Sequence, residues 1–147
     1  MPESPFFMVV ARKPMSANKG TNKKYKDDLR ARASECHRGK PVLSGPLYVR
    51  INWFHRERAE TDVDNITKMI IDALKGVVFS DDFQIIRFIA SRIDAGGDYD
   101  LGIGNVPQDA LGELQSMLGN APHILTVEVG EVISRYVRFG PLEEETF

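Results

Sequence analysis

Four aspartates stand at spacings that could bind a metal ion. Asp62 and Asp64 are two residues apart, so their carboxylates project to the same side if that segment is extended. Asp81 and Asp82 follow after an apolar segment. Carboxylate oxygens are the ligands that Mg²⁺ prefers, and the ion fills its remaining positions with water and substrate phosphate. The two acidic pairs therefore predict a divalent-cation site, provided that the fold brings them to one edge of a sheet.

A lysine follows the first acidic pair at helical spacing. Lys68 lies one turn beyond Asp64 on the same helix face, where its ammonium group could meet a phosphate at the metal or the charge that develops on it. Asp72 lies one further turn along, so these side chains could equally form surface ion pairs worth only about 0.2 to 0.5 kcal/mol each. Asp64 also fits a helix N-cap, and Asp81 with Asp82 fits an ordinary turn before a strand. Spacing alone leaves both interpretations open.

The apolar pattern predicts the elements that must position these residues. Alternating apolar residues indicate strands, and apolar residues three or four apart indicate helices. Strands are predicted at 5–12, 46–56, 84–93 and 123–132, and helices at 22–37, 65–75 and 107–118. The order β-α-β-α-β, a short extra helix and a last strand predicts an α+β domain with one mixed sheet and the helices packed on it. Residues 1–139 would form this single domain, and residues 140–147 an acidic tail of a composition typical of disorder.

The net charge of −2 conceals an asymmetry between the halves of the chain. Residues 1–60 contain 13 Lys and Arg against 6 Asp and Glu, whereas residues 61–147 contain 6 against 15. A basic half suggests a polyanion such as nucleic acid, and an acidic half suggests cation binding or solubility, although mutual neutralisation within the fold explains the pattern equally well. The single cysteine, Cys36, excludes an intrachain disulfide, and there is no secretory leader or long apolar run. We expect a reducing, cytoplasmic setting and no membrane.

One continuous stretch resembles a known family. Residues 62–85, DVDNITKMIIDALKGVVFSDDFQI, are similar to the signature of the RusA family of Holliday-junction resolvases. That signature runs Asp-x-Asp-Asn-x-x-Lys, then a helix with Asp-Ala-Leu, a hydrophobic turn, Asp-Asp and a strand, and the match has no gap. The resemblance implies a homodimeric endonuclease that depends on Mg²⁺, with Mn²⁺ as a substitute, and cuts four-way or related branched DNA by paired nicks.

The resemblance also implies a role for each matching residue. Asp62, Asp64 and Asp82 correspond to the family's essential metal-binding acids, and Lys68 corresponds to its catalytic lysine. Asp81 corresponds to the neighbouring acid and is expected to contribute to the metal site. Two further positions match the motif without an assigned role: Asn65 and Asp72.

The basic half would then supply the contacts to DNA phosphates. Its candidate residues lie on the first helix, on the loop before it and after the second strand: Lys19, Lys23, Lys24, Lys26, Arg30, Arg32, Arg56 and Arg58. A dimer is expected because symmetric branched DNA calls for two nicks at mirrored positions, which a two-fold pair of identical sites supplies. Two features depart from the family pattern. The segment 94–122 is longer than the family's short hairpin, and the chain is mildly acidic overall.

Two other functions fit the same residues. A non-catalytic DNA-binding module would keep the fold, with acids that only cap and solvate the helix. Hydrolysis of a small phosphorylated substrate would need the acids but not the basic half. For the resolvase function we expect a cytoplasmic protein, associated with the nucleoid if it is cellular, or else one that a phage or prophage encodes.

Overall fold

The computed structural model describes residues 4–15, 23–57, 61–104, 106–134 and 137–141. The elements are β1 (Phe6–Val10), α1 (Lys23–His37), β2 (Leu47–His55), α2 (Val63–Leu74), a 3₁₀ turn (Asp82–Gln84), β3 (Ile85–Asp94), α3 (Gln108–Leu118) and β4 (His123–Glu131). The predicted order of strands and helices is confirmed, and the 3₁₀ turn is an addition. The acidic tail lies outside the described residues from 142 onwards.

The four strands form one mixed sheet in the order β1-β4-β2-β3. The last strand, β4, lies in the interior and is antiparallel to both of its neighbours, whereas β2 and β3 are parallel. In that parallel pair Leu47 lies beside Ile85, and His55 lies beside Asp94. We call the edge of the sheet near Leu47 the lower end and the edge near His55 the upper end.

Helices cover both faces of the sheet. The larger core lies between one face and the helices α1 and α2, because Val49, Ile51 and Trp53 of β2 point towards buried residues of both helices. The smaller core lies on the other face, where α3 packs against Val9 and Phe54. The strand β4 contributes to both cores, since Leu125, Val127 and Val129 belong to the larger one and Ile124 to the smaller one.

Both helices of the larger core run from the upper end to the lower end. In α1, Asp28 pairs with Arg12 beyond the upper end of β1, and the ring of His37 lies against Phe6 at its lower end. The turn after α2 reaches the lower end as well, because Leu43 N donates to Val78 O at 2.7 Å just before β2 begins. The N-termini of α1 and α2 therefore lie together at the upper end.

The start of α2 differs from the prediction. The helix begins at Val63, so Asp62 is its N-cap residue and Asp64 lies inside the first turn. The predicted start at Asn65 with Asp64 as N-cap is wrong, because the backbone of Asp62 is the last one in an extended conformation, with φ −68° and ψ 148°. The apolar stripe could not show this, since its first buried member is Ile66. Within the described residues, no helix has both the length and the apolar character that a bilayer crossing requires.

Candidate active site

The first acidic pair lies at the start of α2, at the upper end of the sheet. Asp62 makes no side-chain capping hydrogen bond, so the helix geometry does not occupy its carboxylate. Asp64 is in the first turn, and both residues are exposed. The positive end of the helix dipole stabilises two negative charges at this position. The pair thus offers accessible oxygens of the type that Mg²⁺ prefers, while leaving room for water and phosphate.

Lys68 follows on the next turn of the same helix. Its ammonium nitrogen lies 3.6 Å from Asp72 Oδ2, and the lysine side chain is 71% exposed. The predicted ion pair between these residues is therefore present. An exposed pair of this kind is worth only a few tenths of a kcal/mol, about 0.3 to 0.5 for this spacing. Lys68 can thus leave Asp72 at little cost if an anion binds near Asp64.

Basic residues of α1 lie at the same end of the molecule. Lys23 and Lys24 are exposed in its first turn, where each forms an ion pair with the aspartate four residues later. Arg30, two turns further on, donates to the main-chain oxygen of Asp72 at 2.9 Å and so ties α1 to α2. Lys26 is partly exposed. The two aspartates offset part of the positive charge that the lysines bring to this helix.

The other predicted DNA contacts have different positions. Arg56 follows β2 at the upper end, where its guanidinium donates to the main-chain oxygen of Leu118, the last residue of α3. Arg32 lies away from the start of α2, since it pairs with Glu113 of α3 across the edge of the sheet. Two predicted contacts fall outside the described residues: Lys19 and Arg58.

The second acidic pair lies at the lower end, in the 3₁₀ turn before β3. Asp81 Oδ1 accepts a hydrogen bond from Phe83 N at 3.0 Å, and this bond holds the pKa of the Asp81 carboxyl below its usual range. Gln84 completes the capping box by accepting from Asp81 N, and its amide donates to the main-chain oxygens of Leu43 and Gly45, both at 3.1 Å. Asp82 is exposed on the turn that these bonds hold in place.

Gln84 is the positioning residue that the sequence analysis missed. A signal for it was present, since Asp81 followed by Gln three residues later is a capping-box spacing. The turn it fixes is the one that presents Asp82. The structure thus gives Asp81 a capping function, in addition to the metal-binding role that was predicted for it.

The two acidic pairs do not meet within one chain. Asp62 and Asp64 lie at the start of α2 at the upper end, and Asp82 follows the helix at the lower end. The length of a 12-residue helix, about 18 Å, therefore separates the two pairs. Among the described residues, no three Asp, Glu, His or Cys side chains lie close enough to hold a metal ion. The expectation that both pairs converge at one edge of the sheet is therefore wrong for the single chain. A parallel β2–β3 pair requires the crossover helix to return the chain to the opposite end.

Comparison with known families adds independent information about this region. The sequence model described as "Endodeoxyribonuclease RusA" matches residues 8–99, which is more than half of the chain. The chain belongs to the RusA family. The match includes both acidic pairs and Lys68, and it ends before α3 and β4. RusA proteins are endodeoxyribonucleases that act on Holliday junctions, so the family resemblance seen in residues 62–85 is confirmed. A search of curated protein sequences gave no significant match.

Proposed function

We propose that this RusA-family protein is a Mg²⁺-dependent endonuclease that resolves Holliday junctions or related branched DNA by paired phosphodiester hydrolysis. The observation that carries the proposal is the arrangement at the upper end of the sheet. There Asp62, Asp64 and Lys68 lie beside the basic N-terminus of α1, and all of them fall inside the family match. Acids for a cation and lysines for a polyanion thus occupy the same end of the helical layer.

Each residue of this arrangement has a defined task in the proposed reaction. Asp62 and Asp64 would hold the metal. Asp82 lies about 18 Å away in the same chain, so it would join their ligand set only from the second protomer of the expected homodimer. A bound Mg²⁺ would act as a Lewis acid and lower the pKa of its water. Lys68 would pair with the scissile phosphate, which carries more negative charge as the reaction proceeds. Its exposed, weak contact with Asp72 makes this exchange of partners inexpensive.

The DNA-binding surface would be the upper part of α1. Lys23, Lys24, Lys26 and Arg30 would contact phosphates, and Lys19 and Arg58 remain predicted contacts outside the described residues. Asp27 and Asp28 already share the charge of the first two lysines. Phosphate binding would thus replace protein ion pairs, which makes affinity depend on salt through both the DNA counterions and these exchanges.

A junction-cleavage assay tests the proposed activity. Labelled four-way junction and linear duplex of matched sequence are incubated with wild type, with Asp62→Asn and with the control Asp100→Asn, which changes an exposed aspartate of the β3–α3 loop. We expect wild type and control to cut the junction only when Mg²⁺ or Mn²⁺ is present, and Asp62→Asn to bind it without cutting. If wild type leaves every branched substrate intact at saturating metal, the enzymatic proposal fails.

A second function has one observation in its favour. The described residues of a single chain contain no cluster of three metal-binding side chains, which suits a non-catalytic DNA-binding module. Calorimetry with Mg²⁺ and Mn²⁺ separates the two functions. An enzyme should bind metal in the presence of junction DNA and lose that binding in Asp62→Asn. A binding module should give no metal-dependent heat in either protein while it still binds DNA.

A further inference from the structure

A phenylalanine lies exposed beside one of the candidate metal-binding acids. Phe83 follows Asp82 directly in the 3₁₀ turn, and it is 89% exposed. It belongs to neither of the two apolar cores. Among the described residues, no other aromatic ring contacts its ring. The fold therefore gains little from this side chain, although its position is next to the proposed chemistry.

The backbone that carries Phe83 is held in place by hydrogen bonds. Phe83 N donates to Asp81 Oδ1 at 3.0 Å, and Gln84 Oε1 accepts from Ser80 N at 3.0 Å and from Asp81 N at 3.1 Å. The amide nitrogen of Gln84 donates in turn to two main-chain oxygens of the segment before β2. A ring on such a turn has only its two side-chain dihedrals left to restrict, so little conformational entropy is lost when it binds a flat partner.

The neighbours of the ring favour a nucleobase over a protein surface as its partner. Ser80, Asp81 and Asp82 are exposed polar residues of the same turn. A protein that covered Phe83 would have to remove two carboxylates from water, and aspartates are depleted in the buried parts of protein interfaces. DNA that binds through a cation on Asp82 avoids this cost, because the cation offsets the negative charge. Every base also offers a flat π face on which an aromatic ring can stack.

The place of Phe83 in the chain puts it beside the reacting phosphate of the proposed reaction. Consecutive Cα atoms are about 3.8 Å apart, and an oxygen bound to Mg²⁺ lies about 2.1 Å from the ion. A phosphate that shares a cation with Asp82 therefore lies next to residue 83. Successive nucleotides of one strand are about 3.4 Å apart, so the bases nearest to the ring are those at the cut or beside it.

We propose that Phe83 stacks on a base exposed at the branch point of the junction and thereby favours branched DNA over linear duplex. This inference rests on the proposed function and specifies how the same site selects its substrate. In linear duplex each base is paired and lies between two others, so stacking on Phe83 would first require a costly unstacking. The stack of bases is interrupted where the strands of a junction exchange, so a π face is available there at lower cost.

Three substitutions at this one position separate stacking from apolar packing. Junction and matched linear duplex are titrated in Ca²⁺, in which we expect binding without cleavage, with wild type, Phe83→Ala, Phe83→Leu and Phe83→Trp. Phe83→Ala should weaken junction binding by about 5- to 140-fold, which corresponds to one stacked base at about 1 to 3 kcal/mol. Its affinity for linear duplex should be unchanged. Phe83→Trp should bind the junction as tightly as wild type, whereas Phe83→Leu, which is apolar but has no π system, should be as weak as Phe83→Ala.

A second exposed phenylalanine provides the matched control. Phe139 is 93% exposed in a segment that forms neither helix nor strand, and it is far from Asp82 along the chain. Phe139→Ala should leave the affinity for both DNAs unchanged. The melting temperature of Phe83→Ala and its mass by light scattering should equal those of wild type, because the exposed ring belongs to neither core.

A photo-crosslink locates the contact directly. The base analogue 5-iodouracil, placed at the branch point, forms a covalent bond on irradiation with an aromatic side chain that stacks on it. We expect the crosslinked peptide to contain Phe83, and we expect no such product with Phe83→Ala or with the analogue in the middle of an arm. Crosslinks from the branch point that reach only other peptides would contradict the proposed contact.

The outcomes separate this inference from the proposed function. If Phe83→Ala binds the junction like wild type, or loses affinity equally for junction and linear duplex, the ring does not recognise the branch and the inference is wrong. Wild-type affinity in Phe83→Leu, or a changed mass or melting temperature in Phe83→Ala, would show that the ring packs against protein instead, either in the same chain or in a second copy. Both results would leave the proposed function intact. Wild type that neither binds nor cuts the junction would refute the proposed function itself.

Discussion

Two aspartates of α2 provide the most direct test of where the chemistry lies. Asp64 and Asp72 are the same residue type on the same helix, eight residues apart, and both belong to the family motif. We predict that Asp64→Asn abolishes most junction cleavage and that Asp72→Asn leaves it almost unchanged. The substitution keeps the shape of the side chain in each case, so the comparison isolates the charge and the ability to bind a cation.

Both variants should remain folded. Asp72→Asn removes the ion pair with the 71% exposed Lys68, which is worth at most about 0.5 kcal/mol. In a chain of this size that loss lowers the melting temperature by about 1 to 2 °C. The hydrogen bond from Arg30 goes to the main-chain oxygen of Asp72 and survives the change. Asp64→Asn removes a favourable charge at the start of the helix, worth about 0.3 to 1 kcal/mol.

The chemical effects should differ because of distance. Eight residues at 1.5 Å per residue place Asp72 about 12 Å along the helix axis from Asp64. Oxygens that share one Mg²⁺ lie at about 2.1 Å from it, so they cannot be that far apart. Single-turnover cleavage at saturating Mg²⁺, together with junction affinity, measures the outcome. If Asp72→Asn is inactive while Asp64→Asn cuts normally, the metal ion does not bind at the position that we predict.

Two further predictions concern the basic helix and a buried histidine. The charge reversals Lys23→Glu and Lys24→Glu should weaken junction binding and reduce the slope of log affinity against log salt by about 0.9 for each lost phosphate contact. The control Lys40→Glu, at the lower end, should change neither quantity. Equal effects of the variants and the control would show that DNA does not bind at the start of α1. Burial lowers the pKa of His123, which accepts from Trp53 Nε1 at 3.2 Å. The unfolded chain therefore protonates His123 more readily than the folded chain does. The contribution of neutral His123 to the free energy of unfolding is fully present above about pH 6.5, and it is lost as the pH falls towards the lowered pKa of the folded state. Between pH 7.5 and pH 5.5, the free energy of unfolding measured in urea should fall less for His123→Asn than for wild type. Equal decreases in both proteins would show that protonation of His123 is not the cause.

Much of the secondary structure followed from local pattern. The strand β2 and the helix α3 lie within one residue of their predicted bounds, because the spacing of apolar side chains reports which face of an element is buried. The start of α2 was misplaced because Val63 to Asn65 carry no buried apolar residue that would mark the helix. Its first turn is defined by backbone geometry, which a pattern of side chains does not encode.

The sequence also predicted which residues form the candidate site. Asp62, Asp64 and Lys68 are close along the chain, so their spacing fixes their relative placement once a helix follows them. The family match also spans Asp82, whose distance from the other acids could not be judged from the sequence. A motif of this length predicts which residues act together, but it does not say how far apart they lie in the fold.

Tertiary structure alone decided how the two acidic pairs are related. The sequence could not show that β3 pairs with β2 in parallel orientation, nor that β4, the last strand, lies between β1 and β2. Those pairings join residues that are far apart in the chain. They are stabilised by burial of side chains from distant segments, which a short stretch of sequence does not reveal. The parallel pairing sends α2 along the whole length of the sheet and leaves Asp82 at the end opposite Asp62. Local spacing thus predicted the candidate site residues, whereas strand direction determined that one chain does not bring the two acidic pairs together.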